Sequence, residues 1–306
     1  MLFFNILLIL GMMSSRAKLS LVHHSTLAIV PPSRDESIWL QLQSIRYSLG
    51  DKGYFRWPPH VNVVYPFLAP ESYDEYLPSL EQEISTLHPF HITLSHFNTF
   101  GGSKRGVLWL QPIARNVDSE DGTHSAEIFA NLYSHIQNAL QKIEIPISSK
   151  PFVPHMTVCH CDSQEMALSK MATVSAEYKG VSFEVSELVV LERRGDGGQF
   201  HIAWRFPLLG RIPESVSSSR IFKRFPHLPE LEEDWVREAR LNFRARAKGK
   251  VKGVHGARRP SSDSPEVIEQ KRAARAKKKA EGTQGMAGDM SEQHEQSDLE
   301  NGAFLS

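Results

Sequence analysis

Two stretches of the chain, residues 57–66 (WPPHVNVVYP) and residues 152–158 (FVPHMTV), show the same order of residue types. In each stretch a histidine directly follows a proline and opens a run that is rich in β-branched residues. Proline cannot donate to the hydrogen-bond ladder of a sheet, so it favours the entry or the edge of a strand. Both stretches therefore predict a β-strand that starts with a histidine.

Side chains alternate along a strand, so each stretch has one polar and one apolar face. His60 and Asn62 share a face of the first strand, and His155 and Thr157 share a face of the second. The residues of the opposite faces are apolar: Val61, Val63, Met156 and Val158. We expect the apolar faces to pack in a core and the polar faces to line a groove.

Each proline-histidine strand is predicted to lie between two helices, which suggests a weak internal duplication. Helical spacing of apolar residues occurs at 35–49 and 73–87 in the first half, and at 126–142 and 163–175 in the second. In the first of these helices we expect a stripe of Ile38, Leu40, Leu42, Ile45 and Leu49. Further strands are predicted in TLAIVPP, FHITLSHF, GVLWLQP, EVSELVVLE and QFHIAWRF.

The order of these elements predicts an α+β fold with two pseudo-symmetric lobes of mainly antiparallel sheet, plus helices, around a central groove. In this interpretation FHITLSHF and GVLWLQP belong to the first lobe, while EVSELVVLE and QFHIAWRF belong to the second. If a pseudo-twofold axis relates the lobes, His60 and His155 face each other across the groove.

Composition divides the chain into four segments. Residues 1–24 form an apolar leader that could be a targeting segment, and residues 25–215 hold most of the aromatic and aliphatic side chains of a folded domain. Residues 216–250 predict a helical extension, and residues 251–306 predict a disordered tail. In the extension the expected apolar stripe is Leu231, Trp235, Ala239 and Phe243.

The net charge of +0 hides a strong asymmetry in the tail region. Residues 237–279 contain 15 Lys or Arg against 4 acidic residues, whereas residues 280–306 contain 6 acidic residues and no Lys or Arg. Such runs are typical of a solvated, disordered tail. Contact with a phosphate backbone and a nuclear address in KRAARAKKK remain alternatives. The apolar start suggests a secretory or organelle signal, so the compartment stays open, with cytoplasmic or nuclear favoured.

The sequence Cys159-His160-Cys161 invites a metal interpretation, which the strand period argues against. Strict alternation predicts that both cysteines share the face of His155 and that His160 points the other way. The three side chains would then not converge on one ion. We expect no metal, no cofactor and no disulfide.

The chain resembles the 2H phosphoesterase superfamily, which includes 2′-5′ RNA ligase-like proteins and cyclic nucleotide phosphodiesterases. The resemblance rests on PPHVNVVYPF and VPHMTV, with support from FNTFGGSKRGVLWLQP and WRFPLLG, and it covers about residues 25–210. The family pattern is His, any residue, Thr or Ser, and an apolar residue, present twice. His155 and Thr157 match it, whereas Asn62 departs from it at the hydroxyl position. HITL at residues 91–94 also fits the pattern, but no proline precedes His91, and we expect an ordinary strand there.

The resemblance implies a phosphodiesterase for RNA ends, 2′-5′ linkages or small cyclic phosphates. Two histidines with ordinary pKa values can act as base and acid without a metal. Thr157 and Asn62 would bind the substrate by donating to phosphate oxygens. The alternatives are a non-catalytic RNA or nucleotide binder that uses the same groove and the basic tail, and an interaction protein that acts through the tail. We expect a monomer without stable membrane insertion.

Overall fold

One curled antiparallel sheet organises the mixed α+β fold in the computed structural model, which describes residues 19–117, 125–145, 151–211 and 221–247. All of these residues lie in a unit that ends at Lys248. The predicted leader up to residue 18 and the predicted tail at 251–306 lie outside the described residues.

Strands and helices alternate along the described ranges. The strands are β1 (Leu21–Val22), β2 (Ser25–Ile29), β3 (Val61–Val64), β4 (Phe67–Leu68), β5 (Phe90–Gly101), β6 (Gly106–Asn116), β7 (Met156–Cys161), β8 (Val181–Val185), β9 (Glu187–Arg193) and β10 (Phe200–Pro207). The helices are α1 (Glu36–Ser48), α2 (Tyr73–Ile84), α3 (Ser125–Lys142), α4 (Gln164–Val174) and α5 (Asp234–Ala247). The helices and strands named above from the sequence are found with ends that differ by a few residues, with one exception. EVSELVVLE is not a single strand, because it divides at Ser186 into β8 and β9, which lie in opposite halves of the main sheet.

The main sheet has eight strands in the order β10-β9-β2-β3-β7-β6-β5-β8, and β1 pairs with β4 beside it. All neighbours in both sheets are antiparallel. The two proline-histidine strands, β3 and β7, are adjacent at the centre, with three further strands on each side. The α+β class and its two pseudo-symmetric halves are thus confirmed.

The predicted assignment of strands to halves is wrong for two hairpins. The β5–β6 hairpin, expected with β3, pairs with β7 through β6, and the β9–β10 hairpin pairs with β2 through β9. The assignment assumed that elements close in sequence stay together in space, which is a tendency and not a requirement. Here each hairpin crosses to the other half, so neither half is a continuous piece of chain.

The buried stripe of α1 differs from the predicted one. Leu42 is buried as expected, but Leu40 is 59% exposed, while Trp39 and Arg46 are buried. Apolar periodicity does not anticipate a buried arginine, which is rare without a partner. Arg46 has such a partner, because the carboxylate of Asp51 lies 2.9 Å from its guanidinium.

Helix α5 packs against the segment that precedes β3. Val236, Ala239 and Phe243 are buried and form a cluster with Phe55, whereas Trp235 is 44% exposed. The predicted stripe included Trp235 and not Val236, so its register was off by one residue at this point. Within the described ranges, no helix combines the length and the apolar character that a bilayer span requires.

Candidate active site

The site forms where β3 and β7 meet. Val61 and Met156 are Cα partners and both are fully buried, so they fix the face that packs in the core. The antiparallel register, extended by one residue to either side, sets His60 opposite Thr157 and Asn62 opposite His155. All four predicted site residues therefore share the face that is opposite the core.

The register also gives the approximate spacing of the two imidazoles. Facing residues of an antiparallel pair have Cβ atoms about 5 Å apart, and diagonal neighbours are about 7–8 Å apart. His60 and His155 occupy such a diagonal, one from each half of the sheet. Each lies directly before its strand, since β3 begins at Val61 and β7 at Met156. The prediction that the strands begin with the histidines was thus one residue too early.

Backbone carbonyls hold the two imidazoles in the same way. The Nδ1 atom of His60 lies 2.8 Å from the carbonyl of Pro58, and that of His155 lies 2.8 Å from the carbonyl of Val153. A carbonyl can only accept, so Nδ1 carries the proton in both rings. Each neutral ring then presents the Nε2 lone pair, for which the described residues offer no hydrogen-bond partner.

Aromatic rings flank both histidines. Trp57 stacks on His60 with ring centroids 4.6 Å apart, and Trp109 meets His155 edge-on at 6.0 Å. The indole nitrogen of Trp109 is buried and has no hydrogen-bond partner among the described residues. An unpaired buried donor costs free energy, and this one lies on the residue that faces Thr157.

Burial lowers the pKa of both site histidines. The pKa of His60 falls from 6.5 to about 3, because desolvation outweighs the hydrogen bond to Pro58. Desolvation also lowers the pKa of His155, against the effect of its bond to Val153. Both rings are therefore neutral at pH 7 in the free protein. A bound phosphate would favour the charged form of a ring, because opposite charges stabilise each other.

Thr26 is a site residue that the sequence did not reveal. Its buried hydroxyl lies 2.9 Å from the Oδ1 atom of Asn62 and 3.0 Å from the carbonyl of Val64, across the β2–β3 pair, and it can donate its one proton to either acceptor. Donation to Oδ1 holds that end of the Asn62 amide and leaves its NH₂ group for the groove. Thr26 lies in β2, a strand that the sequence predicts, but nothing in the sequence shows that β2 lies beside β3.

A bulge in β7 corrects the predicted orientation of Cys159, His160 and Cys161. The pairing of β7 with β6 shifts by one residue between Leu108 and Trp109, which leaves Val158 as the extra residue. An extra residue reverses the alternation that follows it. Both cysteines are accordingly free and buried in the core, and His160 joins the face of His155 and Thr157.

His160 is held by a buried carboxylate that the sequence pattern did not indicate either. Its Nδ1 atom lies 2.9 Å from Asp51 Oδ1, and its side chain is 42% exposed. Asp51 is fully buried and is bound by Arg46, whose guanidinium also donates to the carbonyl of Trp57 at 2.8 Å. Burial alone would raise the pKa of Asp51, but Arg46 and His160 hold it far below its usual value.

The other copy of the family pattern lies elsewhere. His91 is on β5, which pairs with β6 on one side and with β8 on the other. His91 pairs with Arg115 on β6, whereas Thr157 of the site pairs with Trp109 on the same strand. Arg115 and Trp109 are six residues apart. Six residues of a strand span about 20 Å, so His91 is remote from the site and part of an ordinary ladder.

A curled antiparallel sheet with one histidine from each half at its centre defines an α+β protein of the 2H phosphoesterase type. The sequence profile of the 2′-5′ RNA ligase superfamily matches residues 34–197, more than half of the chain, and the chain belongs to that family. Membership supports an activity of the 2H phosphoesterase type and the binding of nucleotide or RNA substrates.

Solved structures that match this chain share little sequence with it. LigT of Escherichia coli, crystallised with 3′-AMP, is 17% identical with a TM-score of 0.40, over 61% of this chain and 98% of LigT. TT0787 of Thermus thermophilus is 16% identical with a TM-score of 0.37, over 61% of this chain and 99% of TT0787. No curated protein matches the chain.

Proposed function

We propose that this protein is a metal-independent phosphodiesterase that acts on RNA ends, 2′-5′ linkages or small cyclic nucleotide phosphates. His60 and His155 are its acid and base. The observation that carries the proposal is their diagonal placement on one face, with both Nδ1 atoms bound to carbonyls and both Nε2 atoms available.

The chemistry requires one neutral and one protonated imidazole. The neutral ring accepts the proton of the attacking hydroxyl, from water or a ribose, as the new P–O bond forms. The protonated ring donates its proton to the departing oxygen as the old P–O bond breaks. In the free protein, desolvation disfavours a protonated ring, whereas the negative charge of a bound phosphodiester favours it.

Thr157 and Asn62 bind the non-bridging oxygens of the phosphate in this proposal. Thr157 lies opposite His60 and can donate its hydroxyl, while Asn62 lies opposite His155 and can donate its amide. Donors aimed at developing charge stabilise the transition state. The amide of Asn62 can thus replace the hydroxyl of the family pattern, because donation is the needed property.

The experiment is an assay of the full chain against 2′,3′-cyclic and 2′-5′-linked nucleotides in the presence of EDTA. We expect turnover of at least one class, with no loss when EDTA is added. His91→Ala, on β5, is the matched control and should keep wild-type activity. Activity that disappears with EDTA would contradict the metal-independent mechanism.

A binding protein is the second candidate, and Asn62 is the observation that favours it. An amide at the hydroxyl position could hold a phosphate in a geometry that does not react. Two results together would support this candidate. No phosphodiester would be turned over, and nucleotides would bind with an affinity that His60→Ala or His155→Ala lowers.

A further inference from the structure

The β7 bulge adds a third histidine to the polar face of the central strands. Thr157 and His160 face Trp109 and Val107, which are two residues apart on β6. Two residues of a strand span about 7 Å, the same step that separates His155 from Thr157. His155, Thr157 and His160 thus form a row of evenly spaced polar side chains along β7.

The buried carboxylate of Asp51 fixes the orientation of the His160 ring. Asp51 is an ionised carboxylate, so it can only accept, and Nδ1 of His160 carries a proton. Gly53 donates its backbone N–H to the same carboxylate at 3.1 Å, and Arg46 binds the other oxygen. With Nδ1 held in this way, Nε2 points away from Asp51. The described residues supply no hydrogen-bond partner for it.

A purely structural role does not account for this arrangement. Arg46 already neutralises Asp51, so the buried carboxylate does not require an imidazole as its counter-ion. A side chain that served only to fill the core would also be enclosed, whereas the side chain of His160 is 42% exposed. The buried ion pair instead orients an exposed ring, which is how proteins commonly position a functional histidine.

The surroundings of His160 suit an anion. A cleft of about 310 Å³ adjoins it, lined by Ser48, Lys52, Lys170 and Thr173 among others. Its acidic group, Asp162, lies 2.9 Å from the ammonium of Lys52 and is neutralised by it. The ammonium of Lys170 donates to the carbonyl of Leu49 and to Cys159 Sγ, so it approaches β7 from the face opposite His160. Because Asp162 is paired with Lys52, the ammonium of Lys170 leaves the cleft with a net positive charge.

We propose that His160 binds a second phosphate of the substrate, distinct from the phosphate that reacts between His60 and His155. The inference rests on the proposed function, since it takes the groove to bind a nucleotide. In such a nucleotide the reacting phosphate is on the 2′ and 3′ oxygens of the ribose, and the second phosphate is on the 5′ oxygen. The distance between these two phosphates is comparable to the distance between Thr157 and His160 along β7. The preferred substrate class is therefore a nucleotide, or an RNA end, with a phosphate on the 5′ side.

Two substitutions separate the binding role from a structural one. His160→Asn places an amide where Nδ1 was, so it can keep the bond to Asp51 while it loses the group that faces the groove. His160→Gln extends an amide to the place of Nε2. A structural role predicts that Asn is the milder change, whereas the phosphate contact predicts that Gln is.

The measurement is calorimetric binding of adenosine 2′-monophosphate and adenosine 2′,5′-bisphosphate to the full-length wild type and to both variants. The wild type should bind the bisphosphate about 10-fold more tightly, the lower range for a hydrogen bond to a charged group. His160→Asn should abolish that preference without changing affinity for the monophosphate, and His160→Gln should retain part of it. Steady-state kinetics should show the same pattern in KM, with kcat unchanged.

Equal affinity of the wild type for the two ligands would overturn the inference, and so would a preference that survives His160→Asn. Failure of both ligands to bind would overturn it as well. If one variant fails to fold, the wild type compared with the other variant still tests the contact, because a wild-type preference alone does not place the second phosphate at His160. Turnover of a cyclic nucleotide that has no 5′-phosphate tests the proposed function separately, so the two can fail independently.

Discussion

At the scale of single residues, two histidines from distant parts of the chain have the same local environment. His60 and His155 both follow a proline, and both bind through Nδ1 to the carbonyl two residues earlier. The sequence revealed these residues because proline, histidine and a β-branched run recur together. It did not reveal Thr26, Asp51 or His160, since their roles depend on which strands are adjacent and on one extra residue in β7.

The role of Asn62 as a donor can be tested by substitution. Asn62→Asp keeps the shape but replaces the NH₂ group by a charged oxygen, which repels phosphate. We expect kcat/KM to fall by about 10²–10³, as for the loss of a transition-state donor. Asn62→Thr, which restores the hydroxyl of the family pattern, should retain most of the activity.

The matched control for Asn62→Asp is Asn131→Asp, an identical change at an exposed position of α3. Comparable activity of Asn62→Asp and the wild type would show that the amide does not contact the reacting phosphate.

The lowered pKa values predict the pH dependence of the reaction. In the free protein the pKa of His60 is about 3 and that of His155 is below 6.5, so the groove loses its last catalytic proton as pH rises towards 6.5. We expect a bell-shaped profile of kcat/KM with both limbs below about pH 6.5, which belong to the coupled pair. The profile of kcat should be displaced to higher pH, because bound phosphate stabilises the imidazolium.

Rates over pH 3–9, measured at saturating and at low substrate, give both profiles. A limb of kcat/KM that remains above pH 7 would show that the histidine that carries the proton is not desolvated in the free protein.

At the scale of elements, alternation and helical spacing predicted the strands and helices well, and irregular positions accounted for most errors. The bulge in β7 reverses the faces of Cys159 and His160, which strict alternation cannot anticipate. In α1, Arg46 is buried although the predicted apolar stripe does not include it. Both exceptions belong to one feature, the polar network that joins α1, the segment before β3, and β7.

This network makes a stability prediction for the segment that leads into β3. Asp51→Asn leaves the guanidinium of Arg46 buried without its counter-charge, and breaking such a pair costs about 3–5 kcal/mol. Urea unfolding at pH 7 measures the change in the free energy of unfolding. In the wild type, the contribution of Asp51 is present above about pH 4 and is lost as pH falls further, because folding lowers its pKa from 3.8.

The control is Asp162→Asn, which breaks the half-exposed pair with Lys52 and should cost less than about 1 kcal/mol. Equal effects of the two substitutions would mean that the buried pair does not stabilise the fold.

At the scale of the whole molecule, the fold combines two halves that are interwoven along the chain. The recurrence of elements predicted two halves, but the exchange of hairpins between them depends on long-range pairing that local patterns do not encode. The charged C-terminal region follows α5, which packs against Phe55. Truncations should therefore be placed beyond Lys248, so that α5 remains complete.

Two truncations separate the effects of basic and acidic residues on RNA binding. Residues 249–279 contain 10 Lys or Arg and 3 acidic residues, and residues 280–306 contain only acidic charges, 6 in number. A chain that ends at residue 279 should bind long RNA more tightly, and with a steeper salt dependence, than one that ends at residue 248. Both should turn over a small cyclic nucleotide at the wild-type rate. Loss of that turnover on truncation would place part of the active site in the C-terminal region.

The central claim is that each half of the sheet supplies one imidazole to a single transition state. The most direct test is a double-mutant cycle, in which single-turnover rates on a 2′,3′-cyclic nucleotide in EDTA are measured for His60→Ala, His155→Ala and the double variant. We predict that each single change lowers the rate by about 10²–10⁴, and that the double change costs little more than the worse single one. Single variants that keep the wild-type rate, or losses that multiply in the double variant as for independent groups, would contradict the account.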